Sequence, residues 1–98
     1  MHETKLKILV AAVKIAEKTP LFMVSRGAIA KRAKVPPSLI SFHTGTMEDL
    51  RDAIVARAIA EGNAAVVMNA MAANHTGVKN APKALIAEAC KLLQLRSV

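Results

Sequence analysis

Breaks in the chain constrain its fold more than any other sequence feature. Thr19-Pro20, Pro36-Pro37, Thr44-Gly45-Thr46 and Asn74-His75-Thr76-Gly77 cut it into short segments. Proline lacks an amide donor and disfavours helical geometry in the residue before it, while glycine reaches backbone angles closed to other residues. Between the breaks, apolar residues recur at helical spacing, and no segment alternates as a half-buried strand does. The expected fold class is all-α, with about five helices in a single domain spanning residues 1–98.

Residues 4–18 place Leu6, Leu9, Val13 and Ala16 on one stripe, with Ala12 beside it and the lysines turned away. Leu21, Phe22 and Met23 form an apolar connection, in which Phe22 is expected to close the core. Ser25 is a suitable N-cap for a helix over residues 26–33, with Ile29, Ala30 and Ala33 inward. Lys34-Val35-Pro36 reads as a turn with Val35 plugging the angle between helices. Pro37 suits the first position of a helix over residues 37–43, where a missing N–H costs nothing. Thr46 and Asp49 have capping-box spacing. The fourth helix is expected to run on to about residue 73, with a kink at Gly62. A final helix starts at Pro82 and carries Leu85, Ala89, Leu92 and Leu93 on one face.

Charge is divided unevenly. Of the formal net charge of +7, residues 1–45 carry +6 (eight basic, two acidic), leaving +1 on residues 46–98. A basic first half points to a polyanionic partner once a motif coincides with it. The chain is 53% hydrophobic, much of that alanine, with no Trp or Tyr. Many apolar positions with little volume at each point to surface shared with a second copy. Cys90 sits in an apolar helical pattern and is expected to be a small buried residue. Charged residues interrupt every apolar run before it reaches membrane-spanning length, and no cleavable leader opens the chain, so a cytoplasmic protein is expected.

The motif that coincides with the charge is a pair of short helices joined by a short turn, the helix-turn-helix pattern. In that unit the second helix lies in the DNA major groove and the first crosses the phosphate backbone. Ala30 supplies a small residue near the crossing, and Pro37 starts the reading helix. Ser38 and Ser41 stand at permissive base-reading positions, and Phe42 and His43 follow in the last turn. Ser25, Arg26, Lys34 and Thr46 stand at helix boundaries, where side chains and free amides meet phosphate.

These segments also resemble a known family. The order "ILVAAVKIAEK", "SRGAIAKRAKV", "PPSLISFHTGTMEDL" is similar to the N-terminal DNA-binding domain of tetracycline-repressor-like (TetR-family) regulators, over residues 8–54. The most specific parts are "IAKRAKV" and the tail from His43 through Gly45 to Glu48-Asp49-Leu50. The resemblance implies a three-helix DNA-binding unit with a fourth helix leading to a dimerising part. This sequence departs from the family at several points. Lys34 stands where a glycine is usual and Pro36 where a Ser or Thr cap is usual. Ser41 replaces a tyrosine, Thr44 a phenylalanine and Met47 a lysine.

The residues beyond the fourth helix are expected to be too few for a ligand cavity, so no small-molecule inducer is expected. The anticipated interface between two copies centres on Val67, Met71, Leu85, Leu92 and Leu93. Together these features point to a homodimeric repressor on an inverted-repeat operator in double-stranded DNA. The alternative is a helical protein-interaction module, antitoxin- or anti-regulator-like, that keeps the fold without DNA. Nothing in the sequence pairs a nucleophile with a base or spaces metal ligands, so neither an enzyme nor a cofactor or metal is expected.

Overall fold

A computed structural model of the chain describes residues 3–96. Among these the fold is all-α. The helices are α1 (Glu3–Ala16), α2 (Arg26–Ala33), α3 (Pro37–Thr44), α4 (Met47–Glu61), α5 (Ala64–Ala72) and α6 (Lys83–Arg96). Short 3₁₀ turns, Leu21–Met23 and Thr76–Asn80, lie before α2 and before α6. No helix among the described residues is long and apolar enough to cross a membrane.

α1 is the hub and packs against α2, α3, α4 and α5. It buries Ile8, Leu9, Ala11, Ala12, Val13 and Ala16, whereas Leu6 is only half-buried. Its alanines face a core that includes Ala30 and Ala33 from α2, Ala58 from α4 and Ala70 from α5. Small side chains on both sides shorten the distance between helix axes, so the alanine content is used for close internal packing. Ile29, Ile40, Leu50 and Ile54 fill the larger spaces of the same core.

Two sequence expectations about chain path are corrected. The long fourth helix is two helices, because Gly62 takes left-handed geometry (φ 67°) and terminates α4. Its successor Asn63 donates its N–H to the Ala58 carbonyl at 2.8 Å, a Schellman closure. The Asn63 side chain then accepts from Val66 N–H and caps α5. One pair of residues thus ends one helix and starts the next. Phe22, expected in the core, is 66% exposed. The 3₁₀ turn there has three residues per turn, so Leu21 and Val24 share the inward side while Phe22 and Met23 point out.

Asn69 fixes α5 to the end of α1. Its side chain is buried, and its Nδ2 donates to the Ala16 carbonyl at 2.7 Å, one of the acceptors left over at a helix C-terminus. Asn63 Nδ2 reinforces the same join by donating to Glu17 Oε2 at 2.8 Å.

A second apolar cluster holds α6 on α5 and consists of Ala64, Val67, Leu85 and Ala89, with Met71 and Leu92 at its margin. Val67 and Leu85 were expected at the centre of a surface between two copies. They are instead buried within one chain, since α6 folds back onto the face of α5 that carries Val67. Met71, Leu92 and Leu93 remain partly exposed, and so does Cys90.

The segment joining these helices is pinned by His75. Gly77 N–H donates to its Nδ1 at 2.9 Å, which leaves the ring proton on Nε2 to donate to Asp52 Oδ1 at 2.8 Å. Replacing Asn69 by leucine leaves the Ala16 carbonyl unpaired in a buried place. Urea unfolding should report a loss of about 1–3 kcal/mol.

Candidate nucleic-acid interface

α2 and α3 are eight residues each and are joined by the three-residue turn Lys34–Pro36. Ser25 caps α2 by accepting from Ala28 N–H at 3.2 Å. At the other end Lys34 adopts left-handed geometry (φ 59°, ψ 46°), and Val35 N–H reaches back to the Ala30 carbonyl at 3.0 Å. This is a Schellman end with lysine at the position glycine favours. Val35 packs against the core from the turn, as its place in the sequence predicts.

α3 begins at Pro37, its first helical residue, and is held down by Ile40 and Thr44, one turn apart and both buried. Thr44 Oγ1 donates to the Ile40 carbonyl at 2.6 Å, so the buried hydroxyl is satisfied inside its own helix. With Ile40 and Thr44 inward, Pro37, Ser38, Ser41 and Phe42 form one exposed face. Phe42 is 79% exposed. Its ring meets the half-buried His43 edge-on, with centroids 5.1 Å apart.

The corner after α3 brings the remaining candidates together. Gly45 has φ 76° and ψ −134°, a region essentially restricted to glycine. A side chain there would begin 2.5 Å from Asp49 Oδ2. That carboxylate is occupied, because it accepts from Thr46 N–H at 3.1 Å while Asp49 N–H donates to Thr46 Oγ1 at 3.1 Å. The capping box expected from Thr46 and Asp49 is therefore complete. Arg26, at the first position of α2, donates from Nη2 to the Gly45 carbonyl at 3.4 Å. The starts of α2 and α4 are thus tied beside the last turn of α3.

The nine candidates fall into three groups along this edge. Lys34, Pro37 and Ser38 stand at the start of α3, and Ser41, Phe42 and His43 in its last turn. Ser25, Arg26 and Thr46 stand at the tied corner. All are exposed except Arg26 and His43, which are partly so. Arg26 is a brace as well as a surface cation, and its Nε is buried without a partner.

Sequence reading missed a second brace. Arg51 of α4 donates from Nη2 to the Phe22 carbonyl at 3.3 Å, fixing the turn that leads into α2. The two residues are 29 positions apart, and no local pattern signals such a pair. Met47, at the first position of α4, packs partly buried against the core.

No family model, no curated protein and no solved structure matches this chain. The functional reading therefore rests on the geometry and charge described above.

Two substitutions test the geometry of this edge. Gly45→Ala meets both a forbidden backbone region and the Asp49 carboxylate, and should lower stability by about 1–3 kcal/mol in urea unfolding. Lys34→Gly relieves a left-handed lysine and should raise stability by about 1 kcal/mol in the same measurement.

Proposed function

We propose that this chain is a sequence-specific DNA-binding transcriptional regulator, similar in its first half to tetracycline-repressor-like proteins. It acts in the cytoplasm as a homodimer on an inverted-repeat operator. The observation that carries this reading is the exposed face of α3, Pro37, Ser38, Ser41 and Phe42, held out from the core by buried Ile40 and Thr44. That face lies in the half of the chain that holds +6 of the net charge of +7. Ser38 and Ser41 reach base edges in the major groove, and Phe42 lies against the sugar-phosphate backbone. Ser25, Arg26, Lys34 and Thr46 meet phosphates and set the register.

A single eight-residue reading helix makes few base contacts, so specificity comes from two copies on a twofold axis. Half-sites then lie about one helical turn apart or a multiple of it. With Val67 and Leu85 used inside the chain, the surface left for the second copy is the outer side of α5 and α6. The apolar side chains with surface to offer there are Leu93, Met71 and Leu92, all partly exposed and the last two at the margin of the α5–α6 contact, and the 73%-exposed Leu95. Bound across a promoter, the dimer blocks polymerase and represses.

The competing reading, a protein-interaction module that keeps the fold without DNA, draws on the exposed apolar side chains Phe22, Met23 and Phe42. Fluorescence anisotropy with a duplex from upstream of the chain's own gene separates the two. Wild type should bind at low salt, and the logarithm of affinity should fall linearly with the logarithm of salt concentration. Lys34→Gln should reduce that slope by about 1. Phe42→Ala should weaken binding roughly tenfold while leaving stability within about 0.5 kcal/mol, because the ring is exposed. Absence of binding at low salt supports the interaction module. Sedimentation at micromolar concentration should give a dimer, and a monomer there removes the inverted-repeat mechanism.

A further inference from the structure

α1 presents a second surface, away from the residues assigned to base reading. Lys7, Val10 and Lys14 recur at helical spacing and share one stripe. Val10 is 44% exposed although Leu9, Ala11, Ala12 and Val13 around it are buried. The stripe runs beside the C-terminal end of α2, and the two helices leave an open groove of about 400 Å³. Val10, Ala11 and Ala33 make its floor, and Lys7, Lys14, Arg32 and Lys34 its rim. A neighbouring concavity bordered by Glu3, Thr4 and Leu6 shares Lys7 and Val10 with it, so the surface continues along α1. From residue 3 to residue 14 it is about 16 Å long.

None of the four rim cations takes part in an ion pair or a side-chain hydrogen bond among the described residues. No carboxylate lines the groove between them. Four like charges at the edge of one groove repel one another, and an occupant carrying negative charge relieves that repulsion. The floor sets a further requirement. A phosphodiester backbone offers Val10 only the small C–H edges of its sugars, whereas a peptide brings whole aliphatic side chains. A wholly apolar partner would leave the ammonium and guanidinium heads without counter-charge.

From this combination we infer that the groove is the docking site for an acidic segment of a partner protein. Aliphatic side chains of the segment cover Val10, and its carboxylates pair with Lys7, Lys14, Arg32 and Lys34. The segment spans about two helical turns, the stretch of α1 from Lys7 to Lys14, and leaves the Glu3 carboxylate outside the contact. The inference stands independently of the DNA reading, since its floor and three of its four cations lie outside the residues assigned to DNA and it needs no duplex.

The test is an amide NMR titration of the full chain with a short synthetic peptide carrying leucine and glutamate at helical spacing. Shifts should concentrate at Lys7, Val10, Lys14, Ala33 and Lys34, and a peptide with lysine in place of glutamate should produce none. Val10→Ser should weaken binding of the acidic peptide roughly tenfold by removing the apolar floor. The same variant should keep the wild-type thermal midpoint and duplex affinity. The proposal is overturned if millimolar acidic peptide leaves the groove amides unmoved, or if the shifts fall on α3 or α6. It is equally overturned if a short duplex moves the groove amides and Val10→Ser does not alter the affinity for acidic peptide, which makes the groove part of a nucleic-acid surface.

Discussion

Close approach of helices around an alanine-lined α1 is the constraint on which the structure depends. Ala11, Ala12 and Ala16 are buried against elements that themselves present Ala30, Ala33, Ala58 and Ala70. A bulky residue at any of these places would push α2, α4 or α5 outward and open gaps at Ile8, Ile29 and Ile54, which have no exposure at all. Protein interiors tolerate such gaps poorly, because each unfilled volume forfeits dispersion contacts. The chain therefore builds a dense core from small side chains with no Trp or Tyr.

The α3 face inherits its position from that core through a few polar ties. Ile40 and Thr44 seat the helix, and Gly45 turns the chain so that Asp49 can close the capping box on Thr46. Arg26 and Arg51 then each give one N–H to a carbonyl of a neighbouring turn. The bonds are individually modest. Their value lies in where they act: Arg26 ties the start of α2 to the corner after α3, and Arg51 ties α4 to the turn that leads into α2, so the exposed side chains are presented on a braced support. Arg26 makes the overlap plain, because one residue both holds the corner and contributes positive charge to its surface.

How much was legible in the sequence depended on the range of the interaction. The Ser25 cap, the Pro37 start, the inward Ile29, Ala30 and Ala33, and the Thr46–Asp49 box are all decided within one or two turns of helix, and the sequence shows them. Gly62 was misread because a glycine inside a periodic pattern is compatible with either a kink or an end. The choice fell to Asn63, which finds Ala58 on one side and Glu17 on the other. Phe22 was misread because size alone argued for burial, while the 3₁₀ turn gave the inward positions to Leu21 and Val24. The braces from Arg26 and Arg51 join distant segments and leave no periodic trace, and the Lys7–Val10–Lys14 stripe is periodic but does not reveal that the end of α2 lies beside it.

By itself the sequence determined the all-helical class, the starts of α2, α3 and α4, the turn between α2 and α3, and the concentration of positive charge in the first half. These come from local sterics, capping and composition, which act before any tertiary contact exists. Only the tertiary structure decided that Val67 and Leu85 belong to one chain's interior, that α4 and α5 are separate, and that Phe42 stands clear while Ile40 and Thr44 do not. The separation of α4 and α5 follows from the hydrogen bonds that Asn63 finds; the other two share one physical reason. Which apolar face is buried depends on what the rest of the chain brings against it, and periodicity marks a face without naming its partner.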